Sequence, residues 1–267
     1  MKSISELSDM AGRVTLITGA AGYIGRAVSE AVAELGSNLI LLDIDAGGLQ
    51  KLSSQLSDKY GVNVEFLELD LADEHAIAEV PEFISDTMGR LDVLINNAAY
   101  VGTSDVSGWV TQFEEQSVGT WKQAMDVNLT SAFALSQSCV KLLRSSGNGA
   151  IINIGSIYGV YGPDLSLYEG TSMGNPAAYS VSKGGLLQLT RWLATVLGPD
   201  VRVNTLSPGG VYRSQPEKFC ERYILRTPLA RMANEEDFKG AVAFLASDMS
   251  SYVTGQNIMV DGGWGVW

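Results

Sequence analysis

Cysteine is scarce in this chain, with only Cys139 and Cys220 among 267 residues. They lie far apart in mostly helical patterns, so they make neither a disulfide framework nor a metal-ligand pair. They read as free thiols in a reducing compartment. Basic residues are also in deficit, 18 against 30 acidic, giving a formal charge of −12. A surface this acidic is repelled at long range by nucleic acid and by anionic membranes, so neither is expected as a partner. No apolar run approaches the length needed to span a bilayer, and the polar start MKSISELSDMAG has no signal-peptide core. A cytoplasmic protein is expected. The one histidine, His75, sits in an acidic helical stretch and reads as a surface residue. Repeats, low-complexity tracts and linker-like shifts in composition are missing too, which argues for one domain over residues 1–267.

What the chain does have is alternation. Short apolar runs recur at Val14–Thr18, Leu39–Asp43, Val64–Asp70, Leu91–Asn96, Ala150–Gly155, Val201–Leu206 and Asn257–Val260. Most are Val-, Ile- and Leu-rich with little polar alternation, as expected of parallel strands covered on both faces. Helical patterns such as Gly25–Leu35 and Ala178–Leu197 lie between them. This spacing predicts an α/β fold, a doubly wound parallel sheet of about seven strands with helices on both faces. Two stretches have no place in a minimal strand–helix pattern. One is Gly102–Thr120, carrying Trp109. The other is Tyr158–Pro176, rich in Gly and Pro, which reads as a functional loop.

The first run ends in Thr18-Gly19-Ala20-Ala21-Gly22-Tyr23-Ile24-Gly25, followed by a helix. Glycines between a strand and a helix permit a tight turn and let a diphosphate approach the positive helix N-terminus. The second run ends at Asp43, 24 residues beyond Gly19. A carboxylate there can hold ribose hydroxyls and repels a 2′-phosphate, and no Arg or Lys follows through Gln50. NAD is therefore expected over NADP. The competing readings are a purely structural turn and a solvated strand-end Asp.

Tyr179 and Lys183 stand four apart in a helical pattern and so share a face. A free phenol with a pKa of about 10 is a poor base at neutral pH. A nearby ammonium favours the phenolate by roughly 3 kcal/mol at an effective dielectric near 20, or about two pH units. The pair is thus expected to have an acidified phenol suited to general acid/base work.

With Asp70-Leu71, Asn96-Asn97-Ala98-Ala99, Asp126-Val127-Asn128-Leu129, Asn153-Ile154-Gly155-Ser156, Tyr179-Ser180-Val181-Ser182-Lys183, Asn204–Gly209 and Tyr252–Gly263 all in order, the chain resembles the short-chain dehydrogenase/reductase family over nearly its whole length. The resemblance implies a Rossmann-type fold and an oxidoreductase interconverting a secondary alcohol and a ketone. Catalytic roles would fall to Asn128 (holding a proton-relay water), Ser156 (bonding the substrate oxygen), Tyr179 and Lys183. The cofactor would be held by Gly19, Gly22, Tyr23, Ile24, Gly25, Asp43, Asp70, Leu71, Asn97, Ala98, Ala99, Tyr179, Lys183, Pro208, Gly209 and Val211. No metal is implied, and a homo-oligomer is, a tetramer ahead of a dimer. Two other readings stay open: a sugar-nucleotide epimerase or dehydratase, and a regulator that binds NAD without turnover.

The pattern is broken in places. Tyr23 stands where the single-domain branch has its second glycine, and TGxxGYIG resembles the extended, epimerase-containing branch instead. Ser156 and Tyr179 are 23 residues apart, about ten more than is usual, with the excess inside Gly162–Asn175. Arg213 replaces a frequent threonine. Tyr158 and Arg213 are candidate substrate residues, within substrate loops at about 158–176 and 211–228. Of the cations in the second loop, Arg213, Lys218, Arg222 and Arg226, one or more is expected to bind an anionic substrate group such as phosphate or carboxylate, the competing reading being a solvated, salt-bridged helix. The YEGTSM loop also resembles oxidoreductases of surface-sugar and flagellin-glycosylation pathways, which suggests a sugar, polyol or sugar phosphate.

Overall fold

In a computed structural model, residues 1–100 and 106–267 are described. Seven strands, β1 Val14–Thr18, β2 Asn38–Asp43, β3 Val64–Glu68, β4 Val93–Asn96, β5 Gly149–Ile154, β6 Val201–Pro208 and β7 Asn257–Val260, join in one sheet. The order is β3-β2-β1-β4-β5-β6-β7, parallel throughout. The α/β, doubly wound architecture expected from the alternation is therefore present. Strand bounds differ from the expected runs by at most two residues, β3 ending at Glu68 where the run continues to Asp70.

The helices are α1 Ile4–Ser8, α2 Tyr23–Glu34, α3 Ala46–Tyr60, α4 Glu74–Thr87, α5 Val118–Met125, α6 Ser131–Ser145, α7 Ala177–Leu197, α8 Glu217–Arg226 and α9 Lys239–Ala246. Alternate side chains of each strand feed opposite faces. Ile17, Leu39, Leu41, Ile95 and Ile152 pack on α2, α3 and α9. Leu16, Ile40, Leu42, Leu94 and Ile151 pack on α4, α6 and α7. The central strands are buried on both sides, which explains why their sequences show no polar alternation.

Strand order reverses between β1 and β4, so connections leave toward opposite faces and a crevice opens beyond the carboxyl ends of these two strands. Three fully buried bonds tie the layers beneath it. Asn96 Nδ2 donates to Asn153 Oδ1 at 2.8 Å, Asn153 Nδ2 to Thr190 Oγ1 at 2.8 Å, and Thr190 Oγ1 lies 2.7 Å from Thr205 Oγ1. This chain runs from β4 through β5 to α7 and β6. Misrotating α7 would orphan polar groups exposed by 5% or less, so the ladder fixes the rotation of α7 against the sheet.

Candidate active site

The crevice has a volume of about 830 Å³. Gly19, Gly22, Tyr23, Ile24, Gly25, Asp43, Asp70, Leu71, Asn97, Ala98 and Ala99 line it, together with Tyr100 and Arg213. Close approach explains the glycines at both ends of the turn. Gly19 has φ +62, and a Cβ there would stand 2.7 Å from Ala98 Cα; one on Gly25 would run into the Gly19 carbonyl. Tyr23 opens α2 without a left-handed backbone, so a side chain is tolerated where the family's pattern has glycine. Asn97 works as a staple. Its Nδ2 donates to the carbonyls of Thr18 and Gly19 at 2.9 and 3.0 Å, while Thr18 Oγ1 accepts the Asn97 and Ala98 N–H groups.

Gly22 caps α2 with no side chain, leaving the first-turn N–H groups for an anion. Asp43 is held by the Ala21 N–H on Oδ2 (2.9 Å) and the Asp45 N–H on Oδ1 (3.1 Å), which aims its carboxylate along the crevice edge. An uncapped helix end with a carboxylate fixed beside it fits the diphosphate and ribose of a dinucleotide. Pro208, Gly209 and Val211 lie beyond this wall. Gly209 instead lines a separate cavity of about 100 Å³ against Asp261 and Tyr223, and Val211 is buried in a bridge to Ala233.

Ser156 follows β5 and is buried. Its Oγ accepts the Tyr158 N–H at 3.1 Å, and its hydroxyl lies near enough to the phenol of Tyr179, in the first turn of α7, to favour the phenolate. Gly155 allows this placement, since a Cβ there would meet Ser207 Oγ at 2.6 Å. Lys183 lies one turn below Tyr179, with Nζ 6.0 Å from the ring centroid, donating to the Ile154 carbonyl at 2.7 Å. Burial lowers the lysine pKa to about 8. The expected acidified phenol is corrected here. Burial pushes the Tyr179 pKa up, and what favours the phenolate is the nearby Ser156 hydroxyl and the charge of Arg213. Lys183 points its ammonium at a carbonyl instead of at the phenol oxygen.

Asn128 sits in a π-helical turn, Asp126–Thr130, between α5 and α6. Such turns are frequent at functional sites. Both ends of its amide have protein partners. Oδ1 accepts the Tyr100 N–H, and Nδ2 donates to Ser182 Oγ at 3.0 Å, next to Lys183.

The extra loop builds the outer wall. Tyr168, in a 3-10 turn over Leu165–Tyr168, places its hydroxyl 2.6 Å from that of Tyr158, with Asn175 near enough to favour its phenolate. Burial raises both phenol pKa values. Tyr158, Tyr161, Tyr168, Phe219, Tyr223 and Trp264 pack into one aromatic cluster joining this loop, α8 and the end of the chain. The expected anion-binding cations of α8 are largely consumed by the same loop. Arg222 Nη1 donates to the carbonyls of Ser166, Leu167 and Glu169, and Arg226 pairs with Asp164 while stacking on Trp264 at 4.4 Å. Of the stretch 102–120, residues 102–105 lie outside the described residues. Trp109 is buried beside Tyr100 and packs in a cluster with Tyr179. Tyr168, Asn175 and Ser182 were missed by the sequence reading, because only contact with Tyr158, Tyr179 or Asn128 reveals them. Asn153 had a readable signal as an amide inside an apolar strand.

A crevice fit for a dinucleotide, with Tyr179 packed near Tyr100 of its wall and within reach of the charge of Arg213, Ser156 beside the phenol and Lys183 one turn below, fits an NAD(P)-dependent oxidoreductase acting on CH–OH groups. Residues 19–265 match the family model described as Enoyl-(Acyl carrier protein) reductase. The chain belongs to the short-chain dehydrogenase/reductase family. It is 35% identical over 259 residues to 3-oxoacyl-(acyl-carrier-protein) reductase of Thermotoga maritima, covering 94% of this chain and 97% of the relative. It is 31% identical over 256 residues to post-translational flagellin modification protein A of Campylobacter coli, covering 95% and 98%. The solved short-chain dehydrogenase of Leptospira borgpetersenii with bound NAD⁺ superposes with a TM-score of 0.82 at 34% identity, covering 99% of this chain and 96% of that one. Among the described residues no helix is long and apolar enough to cross a membrane, and no cluster of His, Cys, Asp or Glu could hold a metal ion.

Proposed function

We propose that this protein interconverts a secondary alcohol and a ketone on a small hydroxylated carbon skeleton, a sugar or polyol, with NAD preferred over NADP. The observation that carries the reading is the buried Ser156 hydroxyl set beside the Tyr179 phenol, one turn above Lys183 and within reach of the charge of Arg213 on the crevice wall. Nicotinamide, when bound, supplies the hydride acceptor or donor. Ser156 orients the substrate oxygen, and Tyr179 takes its proton during oxidation or returns it during reduction. Lys183 holds positive charge beneath the site. Asn128 acts by locking the π turn to Ser182 and so to α7. Asp43 supports NAD, because its fixed carboxylate would repel a 2′-phosphate.

The hydroxyl pair of Tyr158 and Tyr168 supports a hydroxylated substrate, and the engagement of Arg222 and Arg226 with the extra loop favours an uncharged one over a sugar phosphate. The relative named for flagellin modification is compatible with the surface-sugar resemblance of the YEGTSM loop. The Thermotoga relative favours a second reading, reduction of a 3-oxoacyl thioester. A screen following reduced cofactor with polyols, sugars, sugar phosphates and an acetoacetyl thioester tests both. Turnover of the thioester alone would overturn the proposed substrate class. An epimerase or dehydratase would consume substrate without net NADH, and a regulator would bind NAD without turnover. We further propose a homo-oligomer, a tetramer ahead of a dimer. Val181, Trp192 and Val196 form an exposed apolar stripe on α7, and light scattering of the purified protein tests it.

A further inference from the structure

Two breaks in the family's pattern, 190 residues apart, touch each other. The guanidinium carbon of Arg213 lies 4.3 Å from the centroid of the Tyr23 ring, and both side chains line the crevice. Tyr23 is 66% exposed although it is aromatic, so burial does not account for it. Arg213 is the one cation among the described residues lining the crevice, whose wall otherwise carries Asp43, Asp45, Asp70 and Asp126. Its Nε reaches Glu235 at a loose 3.3 Å, and among the described residues its Nη groups have no acceptor.

The loop that presents Arg213 is pre-formed. Gln215 accepts the Arg213 N–H at 2.7 Å and donates to the Val211 carbonyl at 2.6 Å. Ser214, next in the chain, is held at φ +57, a conformation costly for a residue with a side chain and most often found where function needs it. A diphosphate entering an acidic crevice gains from Arg213, the single cation lining it among the described residues, and Tyr23 is the first residue of α2, whose start is uncapped.

We propose that Arg213 and Tyr23 form a clamp over the diphosphate of the bound dinucleotide, with the guanidinium bonding phosphate oxygens and the Tyr23 ring serving as its shelf. This rests on the crevice being the dinucleotide site. It assigns Arg213 to the cofactor, where the sequence alone suggested a substrate anion.

The test is calorimetric titration of the full-length protein with ADP-ribose, which carries the diphosphate but no nicotinamide. Arg213→Ala and Arg213→Gln should both weaken binding roughly ten- to a hundred-fold, the range of a lost charge-assisted hydrogen bond. Tyr23→Ala should weaken it less and add little in the Arg213→Ala background, because the two act as one unit. Raising salt should weaken the wild type more than Arg213→Ala. Unchanged ADP-ribose affinity in both Arg213 variants overturns the clamp, and a raised substrate KM in the same variants would return Arg213 to the substrate. If the wild type itself fails to bind ADP-ribose, the dinucleotide reading falls with it.

Discussion

Replacing Lys183 by methionine should make the cofactor-free protein more stable while removing its activity. The side chain is buried, and its pKa falls from 10.5 to about 8 for no cause other than burial. That gap corresponds to roughly 3 kcal/mol of strain on the charged form, at about 1.36 kcal/mol per pH unit. Methionine keeps the length and apolar stem but gives up the bond to the Ile154 carbonyl, a loss of about 1.5 kcal/mol. The net gain at pH 7 is about 2 kcal/mol, a rise in melting temperature of roughly 4–8 °C for a chain of this size. The sign with pH follows from proton counting. Between about pH 8 and 10.5 the unfolded chain still holds the lysine proton and the folded chain has released it, so wild-type stability rises with pH across that window. The penalty is complete below about 8 and gone above about 10.5. Melting wild type and Lys183→Met side by side at equal protein concentration, at pH 7 and pH 10, should show the advantage of the variant shrink and reverse. A variant less stable at pH 7, or a difference that ignores pH, would refute the claim that burial strains this ammonium.

Asp43→Asn removes the charge at the crevice edge and should weaken NAD while tightening NADP, changing their ratio roughly ten-fold or more; an unchanged ratio of dissociation constants would reject Asp43 as the discriminating group. Tyr179→Phe should keep cofactor affinity and lower turnover by about 10²–10⁴. Because burial holds the Tyr179 pKa above its ordinary value, wild-type alcohol oxidation should accelerate as pH rises from 7 toward 10 and ketone reduction should slow; a flat profile in both directions would remove Tyr179 from proton transfer. Arg222→Ala deletes three bonds to the extra loop and should speed protease cleavage within residues 162–175 about ten-fold with cofactor affinity intact; unchanged cleavage would mean the aromatic cluster alone holds that loop.

The sheet was legible because its strands are covered on both faces, and Leu39–Asp43 or Ala150–Gly155 can be read as buried strands with no knowledge of their neighbours. The glycine turn was equally local, since Gly19 and Gly25 answer to contacts within a few residues or with the adjacent strand end. What the sequence could not carry was direction. Helical spacing puts Tyr179 and Lys183 on one face, but only the fold shows the ammonium turned to Ile154 and the phenol turned to Ser156. The charge count of α8 misled for a related reason. Arg222 and Arg226 read as available cations, whereas their partners, Asp164 and the carbonyls of residues 166–169, lie more than fifty residues away in a loop whose packing no local pattern records.

That misreading bears on what the site selects. Arg222 and Arg226, left free, would draw phosphate or carboxylate into the pocket, but here both engage the loop, and the Arg226 guanidinium stacks on Trp264 of the aromatic cluster. The loop in exchange delivers neutral donors and acceptors, the Tyr168 hydroxyl against that of Tyr158, to the wall nearest Tyr179. Recognition by paired hydroxyls discriminates through hydrogen bonds that an analogue lacking the matching group would leave unmade, and a buried group left unmade costs more than a made one gains. The same insertion that ties down α8 therefore shifts selection from charge to hydroxyl pattern. The remaining cation of the crevice, Arg213, is then left to face the diphosphate.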